Sequence, residues 1–304
     1  MAELHPRPLI PFLVASAGIA SFSLMDAAMK DLSVALGAYN AVLWRNIIGA
    51  LFTGMLFIGT KQRWPQVSVL KLHLLRSTIV AIMAISFFWG LARLHLAEAI
   101  GLSFIAPVIA LYLAAVLLGE KIGREAVWAS LAGLAGVAII LTGKFSGDYT
   151  QDSLWGALAV LFSAVMYAYN LVLARKQAQQ AGPIEIVFFQ SLLVSAVLAL
   201  AAPWFLAPLP MVKLPMLTAA SALAIVSLLL LSWAYARAEA QILIPVEYTG
   251  FIWAMLFGWM FFSEPVTLAT LLGTGLIVAG SLIAARAKTA PDAKLVNQVE
   301  MASL

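Results

Sequence analysis

An internal repeat at a spacing of 144 residues limits what this chain can fold into more than any other feature of the sequence. Weaker pairs at the same offset, such as Asp26 with Asn170 and Asn46 with Gln190, extend the correspondence over almost the whole chain. Repetition of this kind settles the architecture first, and it predicts two similar units in tandem. The gap-free pairs are Trp89 with Trp233, Ala92 with Ala236, Arg93 with Arg237, Glu120 with Glu264, Ala135 with Ala279, Gly136 with Gly280 and Ile139 with Ile283.

Composition places both units in a lipid bilayer. Of 304 residues, 63% are hydrophobic and 11% are charged, against about 25% charged in soluble domains. The sequence predicts an all-α integral membrane protein with ten transmembrane helices, five in repeat 1–147 and five in repeat 148–288, and a disordered or foreign tail at 289–304. The apolar runs, each of roughly 20 residues, lie near 9–29, 37–58, 73–93, 97–118, 125–143, 154–174, 184–204, 214–236, 240–262 and 266–286.

Basic residues indicate how these spans are oriented. With a cytoplasmic N-terminus, the inner segments hold thirteen Lys and Arg, including Arg76, and the outer segments hold four, including Lys30. The positive-inside rule therefore predicts a multi-pass plasma (inner) membrane protein with both termini in the cytoplasm. Because each repeat has an odd number of spans, the second enters the membrane from the opposite side. Inverted repeats are typical of secondary transporters, whose site lies near the midplane between the halves.

Other function classes find little support in the residues. There is no cysteine for a disulfide or a thiolate metal site. His5, His73 and His95 are placed at or beyond span ends and no carboxylate pair shares a face within a span, so no enzyme, metal or cofactor site is predicted. A Gly-rich nucleotide loop with a lysine is missing, which argues against an ATP-driven pump. Basic residues are interpreted as topology signals and not as a nucleic-acid surface; a structural or receptor role stays open beside transport.

Ionisable groups inside the spans are candidate gates. Asp26 and Asn170 lie at matched depths and are either paired gate elements or end residues that meet water. Arg45 lies within the second span at a cost of roughly 3 kcal/mol. It therefore faces a cavity, pairs with Asp26 or Glu98, or extends to the outer interface.

Polar and aromatic groups on otherwise apolar faces mark a predicted substrate cavity. Spans five and ten instead carry glycines such as Gly136 and Gly273, and we expect them to pack closely outside that cavity. Further gate or hinge candidates are Arg93, at the end of the face that carries Trp89, Pro107, predicted to kink the fourth span, and Pro245 in the ninth span. The predicted cavity residues are Trp89, Tyr167, Asn170, Gln190, Trp233, Glu247 and Tyr248.

Glu247 is the acid placed most deeply in the membrane by this assignment, and three interpretations of it compete. It binds the ammonium group of an amino-acid substrate, carries a coupling proton, or pairs with Arg237. The predicted partners are therefore a small-molecule substrate, the lipid bilayer and, as a candidate coupling ion, the proton.

Short motifs near the span ends resemble those of one known superfamily. They are Trp44-Arg45, the run Arg93 to Ala99, Pro107, Gly119-Glu120-Lys121, Gly133 to Gly136, Ala238-Glu239-Ala240, Pro245, Ser263-Glu264-Pro265 and Gly273. With them, residues 1–288 resemble the drug/metabolite transporter superfamily, specifically its EamA-type ten-helix members, and look closest to the YddG-type exporters of aromatic amino acids. The resemblance implies export of amino acids or similar small metabolites by alternating access. Carriers of phosphorylated compounds are the alternative, but they need several cavity cations, and only Arg45 is clearly within a span.

Overall fold

The computed structural model describes residues 9–118, 124–145, 151–235 and 246–287, and every regular element in these ranges is helical. A 3₁₀ turn at Met211–Lys213 precedes α10, and both Pro245 and the tail at 289–304 lie outside the described residues. The helices are α1 (Leu9–Leu36), α2 (Ala38–Gly59), α3 (Val67–Leu91), α4 (Leu96–Ser103), α5 (Ala106–Leu118), α6 (Arg124–Phe145), α7 (Gln151–Ala178), α8 (Pro183–Ala199), α9 (Ala202–Phe205), α10 (Leu214–Tyr235), α11 (Thr249–Phe262) and α12 (Leu268–Ala287).

Ten apolar helical segments occur within the described ranges. Five helices, α1, α2, α3, α7 and α10, are long and apolar enough to cross a membrane by length and composition. Five shorter apolar segments lie at 96–110, 131–141, 183–199, 249–262 and 268–280. Each half of the chain contributes five of these segments, so the predicted all-α membrane fold is confirmed.

Helix packing follows the 144-residue repeat. The starts of α6 and α12, Arg124 and Leu268, differ by that offset. The offset also relates α1 to α7 and α3 to α10, and the structure packs α3 against α7 and α1 against α10. The remaining large contacts join equivalent helices, α2 with α8 and α6 with α12. The two inverted five-helix repeats are thus interleaved, and each long interface contains a helix from both.

Glycines allow the closest of these contacts. A Cβ atom at Gly136 on α6 would lie 2.5 Å from the Gly273 carbonyl oxygen on α12, and a Cβ atom at Gly273 would lie 2.5 Å from the Gly136 carbonyl oxygen. Gly90 on α3 meets the Gly156 carbonyl oxygen on α7 in the same way, at 2.5 Å. Such contacts hold membrane helices together through close backbone packing, which is the role expected for spans five and ten.

Two spans differ from the prediction in length. The first extends to Leu36 and the third begins at Val67, so α1 alone is about 42 Å long at 1.5 Å per residue. Lys30 and Arg76, which the charge count assigned to segments outside the membrane, lie inside α1 and α3 and are 6% and 1% exposed. His73, placed at a span end, is fully buried within α3.

The fourth span is broken and not kinked as predicted. α4 ends at Ser103 and α5 begins at Ala106, which places Pro107 in the first turn of a new helix, where its missing N–H is not needed. The second repeat has a matching irregularity, because the chain turns at Tyr248 immediately before α11. Phe104 and Tyr248 are equivalent positions in the repeat, and their rings are in edge contact with centroids 5.2 Å apart.

Candidate functional site

A small polar cavity lies between α2 of the first repeat and α8 and α10 of the second. It has about 50 Å³ of space accessible to water, and its polar groups are a guanidinium, two side-chain amides and two hydroxyls. Among the described residues, none of its lining comes from α6 or α12. The lining residues are Arg45, Asn46, Gly49, Val187, Gln190, Ser191, Ser221, Ala224, Ile225 and Leu228.

The two amides are the same position in the two repeats. Asn46 and Gln190 differ by 144 residues and meet in this cavity because α2 and α8 pack on each other. The Asn46 amide nitrogen donates to the Val42 carbonyl in its own helix at 2.8 Å. The buried Gln190 Oε1 finds no hydrogen-bond partner among the residues that the structure describes. Because a buried unpaired oxygen costs about 1–3 kcal/mol, Gln190 is a ready acceptor for a ligand donor.

Arg45 supplies the positive charge of the cavity. Its guanidinium nitrogen contacts the Met25 sulfur at 3.4 Å, and its Cζ lies 5.5 Å from the centre of the Phe88 ring. In the described part of the chain the thioether is its only side-chain hydrogen-bond acceptor. A thioether is a weak acceptor, so most donor capacity of the guanidinium is left for a ligand carboxylate.

Asp26 lies close enough to Arg45 for a Coulombic attraction. The carboxylate is 2% exposed, and its Oδ2 has no hydrogen-bond partner within the described ranges. It is therefore not an end residue that meets water. Glu98, the other acid considered for Arg45, lies elsewhere, with its Oε1 3.6 Å from His95 Nδ1.

A second buried polar cluster joins α3 to α7 and α8. The Arg76 Nε donates to Asn170 Oδ1 at 2.9 Å, and its Nη1 donates to Gln177 Oε1. The Gln177 amide nitrogen contacts His73 Nδ1, and His73 Nε2 lies 3.0 Å from Glu185 Oε1. We call these five residues the α3–α7–α8 latch. Asn170, a predicted cavity residue, is fully buried inside it.

A third cluster joins α1 to the α3–α4 turn and the loop before α12. The Lys30 ammonium binds the Glu264 carboxylate and the Leu94 carbonyl. The second Glu264 oxygen accepts the Leu96 N–H at 2.7 Å. Because Lys30 and Glu264 come from different repeats, their ion pair ties one half of the protein to the other.

The remaining predicted site residues are dispersed. Trp89 is half-buried, and the Arg93 Cζ lies 3.6 Å from the centre of the Trp89 ring. The Arg93 Nε lies 3.6 Å from the Asp152 carboxylate. Trp233 is 37% exposed on α10. Glu247 is partly buried beside Tyr248 at the start of α11. None of these residues belongs to the described lining of the cavity, and their roles in transport stay predictions.

Tyr167 lies apart from the cavity as well. It packs half-buried against the core and interacts electrostatically with Arg76 of the latch. Of the seven predicted cavity residues, Gln190 lines the cavity between α2, α8 and α10. Arg45, predicted among the gates, lines it too, which agrees with the cavity-facing alternative.

The sequence reasoning missed the latch and the Lys30–Glu264 pair. Lys30 and Glu264 lie just beyond the predicted spans, and Arg76 was counted with the inner segments although the predicted third span, 73–93, contains it. One signal was available. His73, Arg76 and Ser77 occur at i, i+3 and i+4, so they lie on one face of the third span and mark that face as polar.

Comparison with known proteins agrees with this architecture. The sequence profile of the EamA-like transporter family matches twice, over residues 9–142 and 154–286. The chain belongs to the EamA-like transporter family. It is therefore a membrane transporter of small molecules and not an enzyme. The two matches also correspond to the two repeats described above.

Relatives of this EamA-like transporter are named for different substrates. The chain is 28% identical over 270 residues to a pseudopaline exporter of Pseudomonas aeruginosa, covering 88% of this chain and 93% of the relative. A riboflavin transporter of Rhizobium johnstonii is 27% identical over 282 residues, covering 89% and 88%. An S-adenosylmethionine uptake transporter of Rickettsia bellii is 23% identical over 266 residues, covering 87% and 89%.

A solved protein structure superposes with a TM-score of 0.60 at 19% identity, over 90% of this chain and 98% of that one, which shows the fold alone. By their names, the relatives include both an exporter and an uptake transporter. Family membership therefore establishes transport. The predicted similarity to YddG-type exporters of aromatic amino acids stays a prediction.

Proposed function

We propose that this protein exports amino acids, or similar small metabolites with one free carboxylate, by alternating access through the cavity between α2, α8 and α10. The observation that carries the proposal is Arg45. Its guanidinium faces the cavity with only a thioether acceptor among the described residues. Arginine binds carboxylates in a planar, bidentate geometry, so the cavity is suited to one such group.

The surrounding polar groups support the same substrate class. Gln190 Oε1 is an unpaired acceptor for an ammonium or hydroxyl group, and Ser191 lies on the neighbouring position of α8. The cavity of about 50 Å³ is smaller than an amino acid, so the helices must separate for substrate to enter; the apolar lining residues Val187, Ile225 and Leu228 would then contact an aliphatic or aromatic side chain. A phosphorylated substrate carries more charge than the single lining arginine neutralises.

We place the protein in a plasma (inner) membrane with both termini in the cytoplasm, on the positive-inside distribution of its basic residues. In that orientation the N-terminal end of α3 and the turn between α7 and α8 face the cytoplasm. The α3–α7–α8 latch then closes the cytoplasmic end of the helices, and the Lys30–Glu264 pair lies towards the outside.

The proposal is tested by counterflow in proteoliposomes that contain the purified protein. The panel includes aromatic and aliphatic amino acids, riboflavin, S-adenosylmethionine and a sugar phosphate. Phenylalanine and leucine are compared with their amides, which keep the side chain and ammonium but lack the carboxylate. We expect the protein to exchange the amino acids. The corresponding amides should neither be exchanged nor inhibit the exchange of the amino acids. Exchange of the sugar phosphate, or equal inhibition by amide and acid, would overturn the proposed substrate class.

A matched pair of variants connects that activity to the cavity. Gln190→Leu removes the unpaired acceptor, whereas Gln62→Leu makes the same change in an exposed loop residue. We expect at least about a tenfold loss of exchange for Gln190→Leu, the effect of losing one hydrogen bond to a charged group, and wild-type exchange for Gln62→Leu. Equal exchange by both variants would place the substrate elsewhere.

A further inference from the structure

The donors and acceptors of the α3–α7–α8 latch can be ordered in one direction only. Arg76 can donate but never accept, so the Gln177 oxygen must face it. The Gln177 NH₂ group therefore faces His73 Nδ1, which must be an unprotonated acceptor. The remaining ring nitrogen, Nε2, then carries the hydrogen and donates to Glu185 Oε1 at 3.0 Å. The latch as folded requires neutral His73 in one tautomer.

A second proton on His73 is incompatible with this arrangement. It would add to Nδ1 and convert that acceptor into a donor that faces the NH₂ group of Gln177. Rotation of the Gln177 amide would satisfy His73, but it would turn a second NH₂ group towards Arg76. Either way, one polar contact is lost at a buried site, where Arg76 and His73 are 1% and 0% exposed.

Position makes this contact important for movement of the two repeats. His73 and Arg76 lie on α3 of the first repeat, whereas Gln177 and Glu185 belong to α7 and α8 of the second. Phe189 stacks on the His73 ring with centroids 5.1 Å apart, and the next residue, Gln190, lines the cavity. Any motion that opens this end of the cavity by separating the repeats must break the latch.

The charged and titratable groups described around His73 come from all three helices. Burial of the ring opposes a positive imidazole most strongly; Glu185, on α8, favours it, and Arg76, on its own helix, opposes it. Tyr167, on α7, interacts with Arg76. Glu185 therefore offsets part of the cost of protonation, while the fixed orientation of Gln177 couples protonation to loss of the closed contact.

We propose that His73 is a proton-binding site of this transporter and that a proton on Nδ1 releases α3 from α7 and α8. The meaning of this step for export rests on the proposed function. Protonation opens the latched end and lets substrate enter from the cytoplasm. Loss of the proton to the cytoplasm restores the neutral tautomer and closes that end again.

The test measures the distance between two spin labels and needs no substrate. Because the chain contains no cysteine, labels can be attached at Lys71→Cys on α3 and Gln180→Cys in the turn between α7 and α8, both exposed positions. Distances are recorded in liposomes at about pH 8 and about pH 4.5, a range that extends below ordinary imidazole titration because burial opposes the charged ring. We expect a longer-distance population that grows about tenfold at the acidic pH, as the loss of one buried polar contact predicts. An unchanged distribution would overturn the proposal.

Two latch variants separate this proposal from a general effect of acid. In His73→Gln the new oxygen accepts from Gln177 and the new NH₂ donates to Glu185, so the latch stays closed at both pH values. In Gln177→Glu a carboxylate accepts from Arg76 and from protonated His73, so the latch also stays closed in acid, although His73 is still present. A matched control, His95→Gln, removes a histidine outside the latch and keeps the wild-type response.

Opening that persists in His73→Gln or in Gln177→Glu would exclude His73 as the responsible group. Loss of the response in His95→Gln would assign it to the α3–α4 turn. The result is independent of counterflow: a pH-dependent distance without amino-acid exchange keeps the proton site and rejects the substrate class. Amino-acid exchange without a pH-dependent distance keeps the substrate class and rejects the proton site.

Discussion

Equivalent positions of the two repeats, Asp26 and Asn170, each lie beside a buried arginine, but the two arginines come from different helices. Beside Asp26 it is Arg45 on α2, which faces the cavity and contacts a thioether and an aromatic ring. Beside Asn170 it is Arg76 on α3, which is buried and hydrogen-bonded to two side-chain amides. One arginine keeps its donors for a ligand, and the other uses them to hold helices together.

The difference shows how a symmetric fold supports an asymmetric function. Duplication places the two polar positions at matched depths, and the repeated contacts of α1 with α10 and of α7 with α3 give both the same surroundings. Divergence at a few neighbouring residues then decides their chemistry, because Arg45 is equivalent to Phe189 and Arg76 to Ala220. Substitutions that exchange or remove these differences test the comparison directly.

Removal of the Arg76 side chain should produce the largest loss of stability. Arg76→Leu leaves the buried amide oxygens of Asn170 and Gln177 without their donor, at a cost of about 1–3 kcal/mol each. We expect a clear drop in the melting temperature of the purified protein in detergent. Arg63→Leu, in an exposed loop, is the control and should melt like the wild type. A small effect for Arg76→Leu would mean that the latch contributes little to the fold.

Removal of the Arg45 side-chain charge should affect transport more than stability. Arg45→Gln takes away the proposed carboxylate-binding group, so we expect at least about a tenfold loss of exchange, equivalent to about 1.4 kcal/mol. Its melting temperature should fall as well, because the buried Asp26 loses its countercharge together with the thioether and ring contacts, so exchange is compared at equal amounts of folded protein. Arg63→Gln, at an exposed loop arginine outside the cavity, is the matched control. Equal transport by both variants would contradict the comparison.

The sequence predicted the repeat, the ten segments and the glycine contacts because these depend on periodicity and residue size, which a local pattern contains. It also singled out Arg45, Asn170 and Gln190 as polar groups within apolar spans, because such groups stand out in apolar runs. The latch could not be predicted, since His73 and Glu185 are 112 residues apart and meet only through packing of α3 on α8. Apolar runs also end before helices do, which hid Lys30.

Swapping the acid and the amide at the two equivalent positions should have effects of intermediate size, one on stability and the other on transport. In Asn170→Asp, a carboxylate replaces an amide whose Nδ2 has no partner among the described residues, so Arg76 gains a charge-assisted bond and nothing is lost. We expect a higher melting temperature. In Asp26→Asn, Arg45 loses its countercharge and holds a substrate carboxylate more strongly, so both KM and the maximal rate of exchange should fall. A rise in KM for Asp26→Asn would show that Asp26 itself binds substrate.

The smallest effect is expected at Ser221, which supports the position of Arg45 without touching its charge. The Ser221 hydroxyl lies 2.9 Å from the Arg45 carbonyl oxygen on α2 and 2.9 Å from the Leu217 carbonyl oxygen in its own helix. Interhelical hydrogen bonds of this kind contribute about 0.6 kcal/mol in membrane proteins, which corresponds to a melting shift of about 1–2 °C. Ser195→Ala removes a hydroxyl that bonds only to the Ser191 carbonyl of the same helix, at 2.7 Å, and is the matched control. If Ser221→Ala lowers exchange as much as Arg45→Gln does, then the α2–α10 contact, and not the guanidinium, determines transport in this half of the protein.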